Sequence, residues 1–416
     1  MLNLKEVYNF DFQIFHINYN MHNNSKKMFN YCKDVSKKNK IKLFYKEIDS
    51  LKLFKNRNIE SKAREYRYQE LNDVCKNNNI TYALTGHHED DQIETVYMSL
   101  KNKSSWVSNI GIRDKKHIIE NDKNNLLLRP LINISKNDIS KYIIKNRLFY
   151  YDDPTNKDTR FFRNEIRNEI RNEINNNQFR KKYLNISKKN KEKMQKIKHD
   201  INQFYSKLIY FSKSNDFLII NKKELMDKNF DFIVIFLKKV LSKNFSFNER
   251  LSSKYWKNLA LFLNSKNQGN LFDLPENIFI SQTSEKIYIF KIFNNKIILN
   301  HKNILGNYIL RTGIMSISVS DNNLFFKNKN GISVSIDNVD KLKIDFWKDG
   351  DKYISNQKNT LKVSDVFINN KLSFFEKHNC PIVKISDEIV WIPKFYSKNM
   401  ESKNGPYIIL NWNSIL

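Results

Sequence analysis

TYALTGHHEDDQIET, running from Thr81 to Thr95, changes character half-way along. Tyr82–Leu84 is short, apolar and aromatic, the composition of a buried strand. Gly86 breaks it, and a helical run then opens with acidic residues in its first turn, where the helix dipole favours negative charge. A strand that ends at a helix N-terminus is the usual place of chemistry in an open parallel sheet. With His87, Asp91 and Glu94 spaced i, i+4, i+7, all three are expected on one helix face, with Asp90 alongside. An imidazole and several carboxylates on one face can grip an ammonium group or a divalent cation, and they call for positive charge in return. A lone Asp-Asp pair is more often a dipole complement on a solvated face. Two adjacent histidines and a glutamate further on weigh against that here. A zinc-protease helix is excluded, because the second histidine it needs is replaced by Gln92.

Upstream, apolar positions predict a helix at Met1–Tyr8, a strand at Phe12–Tyr19, a helix at Lys26–Asn39 and a strand at Lys42–Ile48. Ser61–Lys76 reads as an amphipathic helix with Ala63, Tyr66, Leu71 and Val74 on one side, and Arg64 and Arg67 within a turn of each other. Strands alternating with helices at this rhythm imply an α/β domain with a parallel sheet. Downstream, Leu126–Ile132 is extended before and around Pro130. Lys136–Asn146 is helical, capped by Ser135 with Asp138 in its first turn. Asp153, Pro154 and Asn156 belong to a turn that caps the next helix. That helix is expected to be long and to begin at Thr159. Its repeat RNEIRNEIRNEI (Arg163 to Ile174) gives a stripe of Ile166, Ile170 and Ile174 with Glu and Arg pairing locally. Asn175–Asn190 reads as a boundary. The architecture is then an α/β domain over 1–185, a middle α+β domain over 186–305 and a β-rich domain over 306–416.

The chain has 416 residues and a formal charge of +28, and its pI is near 9.7. Positive charge spread along the whole chain favours a polyanionic partner, nucleic acid before membrane. Three scattered cysteines, Cys32, Cys75 and Cys380, imply neither a disulfide frame nor a zinc site, and so a reducing, cytoplasmic setting. No apolar run approaches membrane-spanning length. Lys5 and Glu6 interrupt the apolar pattern of the N-terminus, which excludes a secretory signal.

Four motifs in order carry a resemblance: ARxxRY (Ala63–Tyr68), TGHHxDDQxET (Thr85–Thr95), RPL (Arg129–Leu131) and DPTNxDxxFxRNxIR (Asp153–Arg167). With the terminal WKDGDKY…LKVSDVFINNKL…PIVKISDEIVWIP, the chain resembles the tRNA(Ile)-lysidine synthetases, which are PP-loop ATPases. The resemblance implies an adenine-nucleotide-hydrolase-like α/β fold and use of ATP with Mg²⁺. It implies adenylation of C2 of the wobble cytidine in an isoleucine tRNA with a CAU anticodon. Free L-lysine then attacks through its ε-amine, expelling AMP. Such chemistry needs positioning, phosphate neutralisation and a base presented outside a helical stack. Under this resemblance Asp91 and Glu94 hold the lysine ammonium, with Asp91 also a candidate for Mg²⁺. His87 orients or exchanges protons, and Arg67 and Arg163 counter phosphate charge. Asp90, Arg64 and Arg129 are candidate substrate-binding residues, and His16 and Asn18 candidate nucleotide-binding ones. Without the resemblance, Arg67 reads equally well as a surface arginine, and Arg163 as a partner of a repeat glutamate. Lysines of the middle and last domains supply phosphate contacts. Trp256, Trp347 and Trp391 are expected in cores rather than stacked on bases. No membrane is implied, and self-association into a homodimer is left open.

The sequence departs from that family at one place. The SGGxDS loop that cradles pyrophosphate after the first strand has no counterpart, and no glycine precedes Gly86. The expectation is that Met1 is an internal methionine, with strand and loop lying upstream of it. The alternative is a tRNA-binding remnant without catalysis. The loop KNKSSWVSNIGI (Lys101–Ile112) retains only Gly111, which puts its flexibility in question. A tRNA thiolase is disfavoured, because its cysteines are missing.

Overall fold

The computed structural model describes residues 1–22, 24–49, 59–119, 124–154, 162–211, 217–247, 251–265, 270–291, 305–324, 326, 329–400 and 406–414. It divides into two compact units, Met1–Gln195 and Lys196–Leu416. The division falls inside one helix, and so does the domain boundary expected at 185/186.

The first unit runs α1 (Leu2–Tyr8), β1 (Ile14–Asn18), α2 (Ser25–Lys38), β2 (Leu43–Glu47), α3 (Ile59–Asn77), β3 (Tyr82–Leu84), α4 (Glu89–Lys101), β4 (Lys115–His117), β5 (Leu126–Leu128), α5 (Lys136–Lys145), α6 (Phe162–Glu169) and α7 (Asn177–Leu208). β1 pairs in parallel with β2, and β3 in parallel with β5, while β4 joins β5 antiparallel. The parallel α/β arrangement read from the alternation is therefore present, in two pieces. Among the described residues no strand pairs with the second edge of β1 or of β3. A cavity of 1080 Å³ is lined by both strands and by Tyr68, Leu71 and Cys75 of α3. Tyr82 and Leu84 on β3 are 59% and 43% exposed, with only Ala83 turned into the core.

Local expectations about helices hold unevenly. α5 starts where its cap predicts, with the Ser135 hydroxyl accepting from the Asp138 N–H. The repeat does not continue as one helix. α6 ends at Glu169 and the chain turns before α7, although Ile166 and Ile170 are buried as the stripe requires. Ile170 packs with Ile93, Val96 and Tyr183, so the turn still delivers the stripe to the core. The expected start at Thr159, and Asn156 with it, lies outside the described residues. The expected boundary at 175–190 is occupied largely by α7.

In the second unit, β6 (Ile209–Phe211), β7 (Phe217–Asn221), β8 (Phe272–Leu274), β9 (Ile278–Gln282) and β10 (Lys286–Lys291) form a sheet in the order β6-β7-β10-β9-β8. Ile287–Phe290 of β10 is buried on both faces, as continuous apolar runs in covered strands are. Two further four-stranded sheets follow. Tyr407–Ser414 pairs with two strands of one sheet, and the hairpin Pro381–Ile385/Glu388–Ile392 lies in the other. Trp391 is fully buried, and its indole N–H donates to the Lys329 carbonyl at 2.9 Å. Trp256 and Trp347 are buried too, as expected. Among the described residues no helix is long and apolar enough to cross a membrane.

Candidate active site

The first turn of α4 is built from Glu89, Asp90 and Asp91, preceded by His88 in extended conformation at φ −124°, ψ 179°. An N-cap residue needs such non-helical dihedrals, and the His88 N–H donates to Asp91 Oδ2 at 3.0 Å. His87 therefore precedes the helix and does not share its face, contrary to the i, i+4, i+7 reading. It is brought to Asp91 differently: Thr85 Oγ1 and His87 Nδ1 are 2.9 Å apart, and His87 and Asp91 line the same 1080 Å³ cavity.

Asp91 and Glu94 do share a face, and both are buried. Two arginines of α6, one turn apart, meet them. Arg163 bonds Asp91 at 2.8 Å and Glu94 at 3.0 Å; Arg167 bonds Glu94 at 2.8 Å and Asp91 at 3.2 Å. The result is a closed box of two carboxylates and two guanidiniums, with each charge facing two of opposite sign. Burial would raise the Asp91 carboxyl, but Arg163 and the His88 N–H outweigh it and hold the carboxyl below its ordinary range. Burial likewise works against the Arg167 charge, and Glu94 overcomes it. His87 is pushed the other way: burial lowers it to about 4, Asp91 opposes that, and nearby arginines reinforce it. At neutral pH His87 is uncharged.

A second cavity, of 560 Å³, adjoins the box. His16, Asn18, Arg64, Arg67, His87, Arg163 and Arg167 line it, so the nucleotide candidates and the phosphate candidates converge on one space. Asn18 is fixed by donating to Glu47 at 3.3 Å. His16 stacks on Phe29, and burial, helped by Arg67, lowers its pKa. Arg67 reaches the Tyr19 hydroxyl at 3.2 Å. Arg64 lies over the Tyr68 ring.

Two sequence candidates are placed elsewhere. Asp90 accepts from Arg180 at 2.9 Å and from the Lys136 N–H at 3.2 Å, so it ties α4 to α5 and α7 and lines neither cavity. Arg129 is buried and donates to the Arg113 carbonyl, and it too lines neither cavity. For Mg²⁺ the donor set does not fit. Among the described residues no three His, Cys, Asp or Glu side chains gather as a metal shell, and Asp91 faces two guanidiniums.

Arg167, Arg180 and the His22–Asp153 pair at 3.3 Å escaped the sequence reading. Arg167 closes the RNxIR motif, and its i+4 spacing from Arg163 was the available signal. Arg180 and His22 carried none. The single-glycine loop is pinned rather than loose. Gln92 donates to the Ile110 carbonyl and accepts from the Ile112 N–H, and Gly111 has φ +74° against the Gln92 side chain, where a Cβ would sit under 3 Å away.

Residues 1–174 match the family model of the PP-loop domain. The first unit holds a PP-loop domain. Similarity extends to named relatives. The chain is 34% identical over 160 residues to the tRNA(Ile)-lysidine synthase of Buchnera aphidicola subsp. Baizongia pistaciae, covering 38% of this chain and 35% of that one. It is 36% identical over 155 residues to the enzyme of the same name from Wigglesworthia glossinidia brevipalpis, covering 37% of each. A weaker, longer likeness of 23% over 415 residues joins it to the bifunctional protein TilS/HprT of Listeria innocua, covering 95% of this chain and 62% of that protein. The matched parts thus span between about a third and two thirds of these relatives. Both cavities and the acid–guanidinium box lie within residues 1–174.

Proposed function

We propose that this chain is a tRNA(Ile)-lysidine synthetase, a ligase that forms a carbon–nitrogen bond. The observation that supports it most is the buried Asp91/Glu94 pair facing Arg163 and Arg167, in a chain similar over 95% of its length to a TilS/HprT protein. In this reading ATP occupies the cavity lined by His16, Asn18 and Arg67, and the C2 oxygen of the wobble cytidine attacks its α-phosphorus, releasing pyrophosphate. Arg67 and Arg163 balance the phosphate charge. The lysine ε-amine then bonds C2, the C2–O bond breaks and AMP leaves. Lysine entering as an ammonium can take a guanidinium's place beside Asp91 and Glu94. That exchange leaves no buried charge unpaired, the condition a dry site imposes. The amine must lose a proton to solvent before it can attack, and His87, kept uncharged by burial at about 4, orients the amine rather than drawing that proton. Mg²⁺ would travel with the nucleotide phosphates and takes no protein ligand here. Residues 186–305 and 306–416 are read as tRNA-binding domains, through lysines that contact phosphates.

Asp91→Asn and Glu94→Gln are each expected to abolish lysine-dependent AMP release with the isoleucine tRNA while tRNA affinity stays within about two-fold, since backbone contacts supply most of it. An equal loss of binding and turnover would overturn the assignment. A second reading is a tRNA binder without turnover. It predicts tight tRNA binding and no AMP release from the unaltered chain.

A further inference from the structure

Residues 144 to 152 are exposed without a break, and this run contains Leu148, Phe149, Tyr150 and Tyr151. Phe149 and Tyr150 are 60% and 58% exposed. Large rings at that exposure gain nothing from core burial, yet Phe149 is held in place. Tyr31 of α2 donates its hydroxyl to the Phe149 carbonyl at 2.9 Å. The Tyr31, Phe149 and Tyr151 rings meet edge to face in all three pairings, with centroids 4.9 to 5.8 Å apart. Each edge-to-face contact covers one face of one ring and fixes the pair, while the 60% exposure of Phe149 leaves part of its surface open to a ligand.

The strip adjoins the site. Two residues beyond Tyr151, Asp153 lines the 560 Å³ cavity and pairs with His22, and Met28, one turn before Tyr31, lines it as well. The charges around the strip are mixed but include several cations. Lys141, Lys145 and Arg147 are exposed on its α5 side and Lys27 one turn from Tyr31, against Asp138, Asp152 and Asp34. Fixed rings with flanking cations suit a flat, uncharged ring system strung on an anionic backbone.

We propose that Tyr31, Phe149, Tyr150 and Tyr151 form a stacking platform for the unpaired nucleobases that flank the reacting base. This rests on the tRNA reading above and adds where the neighbouring loop nucleotides lie. Duplex RNA keeps its bases stacked and gains nothing from the platform.

The test uses the full chain with two probes, a seven-nucleotide unstructured RNA and an RNA duplex of equal charge. Each is titrated at several salt concentrations with unaltered protein, Phe149→Ala and Phe149→Trp. Phe149→Ala is expected to weaken the single strand roughly ten-fold, the loss of about one stacked base. Duplex affinity and the salt slope should stay unchanged, because stacking releases no counterions. Phe149→Trp should restore single-strand affinity. Equal losses for both probes, an unchanged single-strand affinity, or no rescue by tryptophan would each overturn the platform. No ATP, lysine or particular tRNA is needed, so absent AMP release alongside selective single-strand loss would remove the ligase reading and leave the platform standing. AMP release together with no effect of Phe149→Ala would do the reverse.

Discussion

The heart of the first unit and the sheets of the second are ordered by different forces. Around α4 the buried residues include Asp90, Asp91, Gln92, Glu94, Asn164 and Ser187, and their positions are fixed by ion pairs and directed hydrogen bonds. Around Trp391 the buried side chains are Ile344, Val383, Val390 and Leu410 with other apolar groups, ordered by packing on paired strands, with the Trp391 indole bond to the Lys329 carbonyl beside them. Charges that must be paired define a geometry but contribute little net stability, because desolvation cancels much of the Coulomb gain. Apolar burial contributes stability at about 25 cal/mol per Å² and defines no chemistry. The molecule therefore keeps its buried charges in a region whose order depends on every partner being present.

The largest expected effect breaks that contrast from both sides. Arg167→Met leaves Asp91 and Glu94 short of a counter-charge inside the box, and removing one partner of a buried pair costs about 3–5 kcal/mol. Trp391→Ala opens a void of similar cost, about 3–5 kcal/mol. Urea unfolding followed by two probes, one in each unit, separates them. Arg167→Met is expected to lower the midpoint of the first unit, and adding Glu94→Gln to it should recover part of the loss. Trp391→Ala should lower only the second, with no compensating charge change available. A cost for Arg167→Met below about 1 kcal/mol, the range of exposed pairs, would mean that the box is solvated.

Acid comes next in size and sharpens the same difference. Burial holds His87 at about 4, against an ordinary 6.5, so the unfolded chain takes up a proton there before the folded one does. Stability is then complete above about pH 6.5 and falls as the pH drops towards 4. Asp91, held below its ordinary range, adds a further loss at lower pH as its carboxyl protonates. His16 and His378 are lowered by burial in the same sense, so His87→Gln should flatten the slope between pH 6.5 and 4 without abolishing it. An unchanged slope in that variant would show that His87 is hydrated in the folded protein.

These two kinds of order explain what was readable in the sequence. Periodicity reports burial and capping, so α5 with its Ser135 cap, the Ile166/Ile170 stripe and the three core tryptophans are visible in the residues, whereas β3 is placed correctly but exposes Tyr82 and Leu84 where a buried strand was expected. Asp91 and Glu94 were legible because helical spacing put them on one face. His87 was misplaced because a helix start one or two residues later than the pattern suggests moves a side chain off that face. Arg180 and His22 reach their partners across 90 and 131 positions of chain, and no local pattern encodes such a meeting. Arg129 read as a ligand-binding arginine because its motif carries no sign of burial.

The smallest expected effect lies where neither force acts strongly. α5 has no buried residue, and its N-terminus is held by Ser135 and by the Lys136 N–H donating to Asp90. Ser135→Ala removes the cap bond from the Asp138 N–H and the hydroxyl's bond to the Asp138 carboxylate, a loss of about 1 kcal/mol. Because α5 contributes no core, that loss should appear as local fraying rather than as a shift of the global midpoint. Amide exchange within residues 136–145 is expected to quicken roughly five-fold, since about 1 kcal/mol corresponds to that factor in an opening equilibrium. Exchange in α4 and the unfolding midpoint should stay where they are. A global shift would instead show that α5 transmits its order through Asp90 into the charged box, placing it on the side of the molecule held by charge.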